Sequence, residues 1–286
     1  MSPWLDEDLE RENMNPRASL WLKTVYARTW VRTKSIYGEP LWVAVNVGFP
    51  FFTSLALSLL YSSAGLKAGI GFAFLGGVMV SFWGNVLWSM ASQFNWDKQQ
   101  GLFELYVTSP APISAILIGM SLGGILGTAP SAITLAIIGW LLFAPPATPL
   151  WPLVALTFAL TLASLYAMGM ALSSLYLVYG READSVNEAL HEPVSFLSGV
   201  YFPSSLAFPA ALQAVVLIIP LAVGMDALQR TLFSLNSTGA TDLAPVYRDL
   251  LLLAIMGITL LFAASKALKI LEEKGRRAGT IAVRQR

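Results

Sequence analysis

Cysteine is absent from the 286-residue sequence, and His191 is its one histidine. Without thiols the chain can form neither a disulfide framework nor a thiolate metal site. A single imidazole makes no metal site by itself, so we expect His191 to form hydrogen bonds in a loop. Charged residues are also scarce, at 12% of the chain against roughly 25% in soluble proteins. This composition argues against a soluble domain, because too little polar surface would face water.

Recognisable catalytic and nucleotide-binding motifs are missing as well. The sequence contains no Gly-x-x-x-x-Gly-Lys-Ser/Thr motif, so any ATP that is used must be hydrolysed by another chain. We identify no catalytic, cofactor-binding or metal-binding residues. The net charge of +1 gives no reason to propose a nucleic-acid partner.

Long apolar runs are abundant, and 56% of the residues are hydrophobic. A helix needs about 20 apolar residues to cross the hydrocarbon layer of a membrane. The period-2 alternation of a membrane β-barrel is absent. We therefore predict an all-α, polytopic membrane protein with a transmembrane domain over 39–271. Six transmembrane helices are expected at about 41–61, 68–91, 113–143, 150–179, 187–202 and 248–271.

The topology depends on the apolar region 194–235, which Pro203, Pro209 and Pro220 interrupt. Two full spans here would give seven crossings, whereas one span and a re-entrant helical hairpin at 204–235 give six. With six crossings, fifteen of the 18 Lys and Arg residues lie in cytoplasmic segments and three lie outside. The positive-inside rule therefore favours six crossings, with both termini in the cytoplasm.

The segments outside the spans have their own patterns. Residues 1–16 are expected to form an acidic disordered tail, and residues 272–286 a basic cytoplasmic tail. Between the first tail and the first span, residues 17–38 predict an amphipathic helix, with Arg17, Arg28 and Arg32 opposite the apolar arc. We expect this helix to lie in the headgroup plane, although a cytosolic helix packed on a partner is an alternative. The apolar arc consists of Leu22, Val25, Tyr26, Thr29, Trp30, Thr33, Ile36 and Tyr37.

The cytoplasmic loop between spans 2 and 3 predicts a short amphipathic helix at 95–108. Such a helix can press its apolar side into a groove of a soluble partner and transmit the movement of that partner. The spacing alone fits an inert connector equally well. The residues proposed to contact the partner are Asp97, Lys98, Gln100, Gly101, Leu102, Phe103, Glu104 and Leu105.

Two motifs carry a resemblance to a known family. The loop reads Gly-Leu-Phe-Glu-Leu at 101–105 and Thr-Ser-Pro at 108–110. Later, Phe-Leu-Ser-Gly-Val-Tyr-Phe-Pro at 196–203 precedes Ile-Pro-Leu at 219–221 and Asp-Ala-Leu-Gln-Arg at 226–230. In this order and topology the motifs resemble those of the ABC type-2 exporter permeases. Gln229, which separates Leu228 from Arg230, is a small departure from the pattern of that family.

The resemblance implies the membrane subunit of an ATP-driven exporter, which performs no chemistry itself. A separate nucleotide-binding ATPase subunit would bind ATP and Mg, and residues 95–108 would be the coupling helix seated on it. A second copy of the chain would complete a homodimer in the lipid bilayer of the cell (plasma) membrane. The substrate would be drug-like, lipid-like or a glycan. A re-entrant gate is implied at Gly199, Tyr201, Phe202, Pro203, Pro220, Asp226 and Arg230.

Two further sets of residues are open to more than one interpretation. A substrate path could include Asn46, Phe49, Phe52, Asn85 and Trp88, but amides in spans also serve interhelical hydrogen bonds, and aromatics also contact lipid. Glycines recur every four residues at 119, 123 and 127, so that face of span 3 packs closely within the chain or at a dimer seam.

A secondary carrier or a structural membrane protein without an ATPase remains the alternative function. No Asp, Glu, Lys or Arg lies centrally in spans 1 to 4. An ion-coupled carrier should have at least one such charge there, so this absence lowers the odds of that alternative.

Overall fold

The computed structural model describes residues 16–93, 96–97, 100–102, 105–106, 109–143, 150–179, 183–202, 208–233 and 243–278. Lys98, Phe103, Glu104 and Pro203 of the predicted sites lie outside the described residues, as do residues 1–15 of the predicted acidic tail. Within the described ranges every regular element is a helix, which confirms the all-α prediction.

Nine α-helices follow one another along the described parts of the chain. The third continues directly into a π-helical segment, Asn85–Ala91, and π-helical segments are frequent at functional sites. The helices are α1 Pro16–Tyr37, α2 Pro40–Ser63, α3 Lys67–Gly84, α4 Ile113–Phe143, α5 Trp151–Tyr179, α6 Ala183–Leu197, α7 Ala210–Val216, α8 Pro220–Phe233 and α9 Ala244–Ala278.

Five of the helical segments are long and apolar enough to cross a membrane. They are Pro40–Ser63, Gly69–Ala91, Ile113–Leu141, Trp151–Ser174 and Ala244–Leu268. Helix α6, where the sequence predicts a fifth crossing before the last, has 15 residues. At 1.5 Å per residue it is about 22 Å long, short of a hydrocarbon layer of roughly 30 Å. Five spans are therefore supported by length and composition, and the sixth stays a prediction.

The core of the bundle lies around α3 and its π-helical extension, which pack against α4 and α5. Met79, Trp83, Leu87, Leu117 and Leu165 are all almost completely buried there. Helix α9 packs against α5 and α8. Most of the residues of α2 and α9 remain accessible, as expected for helices that contact lipid or another chain.

Helix α1 packs along α4 on the glycine stripe. A methyl group built on Gly119 would lie 2.7 Å from the carbonyl oxygen of Val25, and one on Gly123 would lie 2.6 Å from Arg32 Cβ. The absent side chains therefore allow the two helices to approach closely. Of the two interpretations of the stripe, packing within the chain is the one observed here.

Helix α6 and the residues after it run antiparallel to α3. Near the start of α6, Asn187 Nδ2 donates a 2.6 Å hydrogen bond to Ser92 Oγ, just after the π-helix. Beyond the end of α6, the carbonyl group of Val200 packs directly on Gly76. Residues 187–200 therefore lie beside α3 and its extension over most of their length.

Two short helices occupy the region of the predicted hairpin. Helices α7 and α8 lie on either side of residues 217–219, and α8 begins at Pro220. Ten residues of α8 are buried, Pro220 among them, whereas Val215 and Ile218 are exposed. The described residues of 204–235 thus contain two short helices, and a re-entrant hairpin here stays a prediction.

Candidate functional site

The loop after the π-helix contains a glycine that ends one helical turn and starts another. Gly101 has a φ of +77°, a conformation that favours glycine because it has no Cβ. The amide of Leu102 donates a 2.8 Å hydrogen bond to the carbonyl of Asp97, the bond of a Schellman helix end. A second turn follows, in which the amide of Ser109 donates to the carbonyl of Leu105. The described residues place helical turns on either side of Gly101, and the short amphipathic helix over 95–108 stays a prediction.

Asp97 is the polar centre of this loop, and its side chain is 3% exposed. Its carboxylate accepts hydrogen bonds from Gln93 Nε2 and from the hydroxyl of Tyr106, each at 2.7 Å. The guanidinium of Arg28, on α1, lies 3.6 Å from the same carboxylate and 4.9 Å from the ring centre of Tyr106. Three separate parts of the chain therefore meet at one buried charge.

Arg32 extends this contact from α1 to the π-helix. It donates a 2.7 Å hydrogen bond to Gln93 Oε1 and a 3.1 Å bond to the carbonyl of Ser89, and it also bonds the Ser89 hydroxyl. Gln93 thus joins Arg32 to Asp97. We call Arg28, Arg32, Gln93, Asp97 and Tyr106 the loop anchor.

The protonation equilibria of the anchor follow from its burial. Burial raises the pKa of the Tyr106 phenol, and its hydrogen bond to Asp97 acts in the same direction, so this group stays a donor at neutral pH. Burial lowers the pKa of the Arg32 guanidinium, while the nearby charge of Asp97 opposes that shift. The anchor therefore combines two basic side chains with one acidic side chain in a largely enclosed place.

Sequence reasoning found Asp97 but missed the other four anchor residues as a group. The helical wheel placed Arg28 and Arg32 opposite the apolar arc, and the structure turns them toward the bundle. The exposed side chains of α1 include Tyr26 and Trp30, at 72% and 60%. The four-residue spacing of Arg28 and Arg32 matches that of Gly119 and Gly123, and this shared period was the signal available in the sequence.

Predicted partner-facing residues of the loop differ in their surroundings. Asp97 is buried, whereas Leu102 and Leu105 are 39% and 62% exposed. Trp96, beside them, is 37% exposed. Gln100 and Gly101 are also exposed. Among its described residues, the loop therefore presents apolar side chains outward and holds the side chain of Asp97 inward.

At the far end of α6 the predicted gate residues are partly brought together. Gly199 has a φ of +73°, and its carbonyl accepts a 3.1 Å hydrogen bond from Gln229 on α8. The carbonyl of Tyr201 accepts a 2.6 Å bond from the hydroxyl of Tyr61. The ring of Phe202 stacks edge-on against Phe196. Hydrogen bonds from α2 and α8 thus fix the geometry of the turn just after α6.

Asp226 and Arg230 form an ion pair one turn apart on α8, with Arg230 Nε 2.8 Å from Asp226 Oδ2. Pro220 is buried at the start of the same helix. These three gate residues therefore share α8, which the hydrogen bond from Gln229 joins to the turn at Gly199.

The proposed path residues do not form one surface. Asn46 and Asn85 line a pocket of about 390 Å³, together with the hydroxyl-bearing Ser81 and Thr128. Both amides also have internal partners, since Asn46 donates to the carbonyl of Trp42 and Asn85 accepts from Tyr166. Each amide therefore makes the hydrogen bonds of ordinary helix packing as well as facing a pocket.

The three aromatic path residues lie apart from one another. Phe49 lines a different cavity from that of Asn46 and Asn85. Phe52 is 68% exposed, and Trp88 packs against the core. The described residues contain no group of three or more His, Asp and Glu side chains placed to hold a metal ion.

The comparison with protein families agrees with the architecture. The model described as ABC-2 type transporter matches residues 22–233, which is more than half of the chain. The match begins within α1 and ends at the last residue of α8, so it includes the whole loop anchor. A search of curated proteins gives no match. The chain therefore belongs to the ABC-2 type transporter family, the membrane-embedded permeases of ABC transporters.

Proposed function

We propose that this permease exports an amphipathic substrate, that it pairs with a second copy of itself, and that a separate ATPase subunit supplies the energy. Membrane domains of the family work with nucleotide-binding ATPase subunits. ATP and Mg would be bound by that subunit. The observation that carries the proposal is the buried anchor, which ties the loop to α1 and to the end of one spanning helix.

The outward side of the loop is suited to docking. Trp96, Leu102 and Leu105 expose apolar surface within a short stretch of cytoplasmic chain. A groove on the ATPase subunit would bury the exposed part of these side chains, which contributes roughly 25 cal/mol per Å² of apolar surface removed from water. Docking would thus be apolar at its centre, as at stable protein interfaces.

The inward side of the loop is suited to transmission. A movement of the loop would displace Asp97. This residue is hydrogen-bonded to Gln93, just after the π-helix, and forms an ion pair with Arg28 on α1. Helix α1 in turn lies on the glycine stripe of α4. Movement of the loop would therefore shift α1 and α4 together.

We further propose that the chain lies in the plasma membrane and crosses it six times. Both termini would then lie in the cytoplasm. Residues 187–200 lie beside residues 76–92 of a spanning helix. This supports a crossing here, because the residues after α6 continue the segment beyond the end of that short helix. A re-entrant gate formed by α7 and α8 would then cover the outer end of the path. The basic residues at 266–286 would lie inside, as the positive-inside rule requires.

Two variants of the loop distinguish docking of the ATPase subunit from transmission of its movement. The chain is purified with its ATPase subunit from native membranes, and subunit ratio and ATP hydrolysis are measured in vesicles. Leu105→Asp should release the ATPase subunit. Asp97→Asn should leave it bound but lower the stimulated hydrolysis about tenfold, because charged hydrogen bonds contribute roughly 1.5–3 kcal/mol each. The control is Glu39→Gln, at an exposed acidic residue after α1.

The outcomes discriminate between the classes of protein. Equal hydrolysis in the Asp97→Asn and Glu39→Gln variants would make the loop a passive connector. A chain that purifies without any nucleotide-binding subunit, and stimulates none, would be a secondary carrier or structural protein instead.

A further inference from the structure

A second cavity lies away from the loop anchor, between α2, α3, α6 and the residues after α6. We call it the α6 groove, and the space between its walls, including the part that is open to solvent, is about 450 Å³. Its walls are mostly apolar. The lining residues used below are Phe49, Leu57, Val80, His191, Glu192 and Tyr201.

Glu192 gives the α6 groove its charge. No lysine or arginine is among the described residues that line it, and the imidazole of His191 is its other ionisable neighbour besides Tyr201. The Glu192 side chain is 69% exposed, so its carboxylate is open to a ligand. The groove is therefore acidic, and His191 is the one basic side chain among the described residues that line it.

The polar contacts of Glu192 are long. His191 Nδ1 lies 3.3 Å from one carboxylate oxygen, and the hydroxyl of Tyr201 lies 3.3 Å from the other. Hydrogen bonds to a carboxylate are usually 2.5–2.9 Å, so both contacts are weak. The carboxylate retains most of its capacity to accept a donor from a ligand.

The position of Glu192 along the bundle makes this capacity significant. The carbonyl of its neighbour His191 accepts a hydrogen bond from Trp83, eight residues before the end of the candidate span Gly69–Ala91. Trp83 therefore lies inside the span and not at its end. An acidic side chain at such a depth is costly, by about 2.5–3.5 kcal/mol on insertion scales, and is kept where it has a function.

We infer that the α6 groove binds an amphipathic organic cation, whose positive group contacts Glu192 and whose apolar part lies against α2 and α3. The aromatic rings of Phe49 and Tyr201 add faces that attract a cation. The inference rests on the proposed export function and on the crossing of α6, and it names the class of substrate. An anionic lipid would be repelled by this carboxylate, and a glycan offers it hydroxyl groups but no positive charge.

The test measures binding without the ATPase subunit. The purified chain is placed in lipid nanodiscs, and the binding of tetraphenylphosphonium is compared with that of tetraphenylborate, an anion of nearly the same shape. Empty nanodiscs correct for partition into lipid. Glu192→Gln should weaken binding of the cation at least tenfold and leave the anion unchanged. Glu188→Gln, at an exposed acidic residue one turn earlier on α6, should stay within twofold of the wild type.

Two additional measurements keep the test decisive. Glu192→Asp retains the charge, so it should restore most of the cation binding if the site is electrostatic. The ratio of monomer to dimer is measured for each variant. Equal binding of both ions, equal effects at Glu188 and Glu192, or a change confined to dimerisation would overturn the inference and make the groove a packing surface.

The result is independent of the coupling experiment. Loss of cation selectivity with normal ATPase stimulation would remove the substrate class and leave the proposed function intact. Normal cation binding without any ATPase stimulation would remove the proposed function and leave the proposed substrate class intact.

Discussion

Gly123 is the position where the proposed transmission can be broken without touching the loop. A methyl group at this residue would lie 2.6 Å from Arg32 Cβ and 3.0 Å from the carbonyl oxygen of Thr29. Carbon atoms in contact are normally about 3.5–4.0 Å apart. Gly123→Ala must therefore push α1 away from α4 by about 1 Å.

This displacement acts directly on the loop anchor. The hydrogen bond from Arg32 to Gln93 is 2.7 Å long, and a shift of about 1 Å would take it past the distance at which such bonds hold. A hydrogen bond to a charged group contributes about 1.5–3 kcal/mol. We expect ATP hydrolysis stimulated by the permease to fall about tenfold or more.

The fold should survive the same change. Overpacking costs about 1–3 kcal/mol, while replacing glycine by alanine inside a helix returns about 1 kcal/mol. The net loss of stability is therefore small beside the loss of coupling. Thermal unfolding of the purified chain should show a midpoint only a few degrees lower.

Gly48→Ala is the matched control, because the nearest atom to its new methyl group is Phe52 Cε2, at 4.0 Å. It changes the same residue type in a spanning helix without contact to α1. If both variants stimulated hydrolysis equally, the contact between α1 and α4 would not transmit the movement of the loop.

Two further predictions address the loop and the topology. Gly101 and Gly65 both have a positive φ, at +77° and +75°, with open space around them. Gly101→Ala and Gly65→Ala should therefore each lower the free energy of unfolding by about 1–2 kcal/mol. Only Gly101→Ala should reduce ATPase stimulation in vesicles. For the topology, a single cysteine in this cysteine-free chain at Ala244 should react with an impermeant thiol reagent on intact cells, and one at Arg277 only after lysis. External reaction at Arg277 would contradict six crossings and require an odd number, five or seven. Equal stimulation by the two alanine variants would mean that the turn at Gly101 has no role in coupling.

The spans were predictable from the sequence because length and hydropathy are set by the membrane itself. Five of the six predicted segments coincide with apolar helices of sufficient length. The segment at 187–202 differs, since its helix ends at Leu197 and the chain turns at Gly199. Sequence reasoning considered charges only in the first four spans, and it passed over Glu192 in the fifth.

Local contacts were less predictable than spans. A helical wheel sorts residues by polarity, and it placed Arg28 and Arg32 on a face away from the apolar arc. Polarity does not tell whether such a face meets water or a buried acid, because the deciding residue, Asp97, lies far along the chain. His191 was expected in a loop, yet it lies within α6, where the carbonyl of its backbone accepts the Trp83 hydrogen bond.

The composition of the loop anchor itself suggests a role in movement rather than in stability. Buried ion pairs are often no more stabilising than apolar side chains of similar volume, but removing one partner costs about 3–5 kcal/mol. The contact between Arg28 and Asp97 therefore specifies where the loop sits on α1 without adding much to the stability of the fold. When a force acts on the loop, separating the two side chains would cost far more free energy than moving them together. The loop and α1 should therefore shift as one body. At Gly119 and Gly123 the nearest atoms of α1 are Cβ, Cγ and backbone atoms, so the close contact passes that shift to a spanning helix.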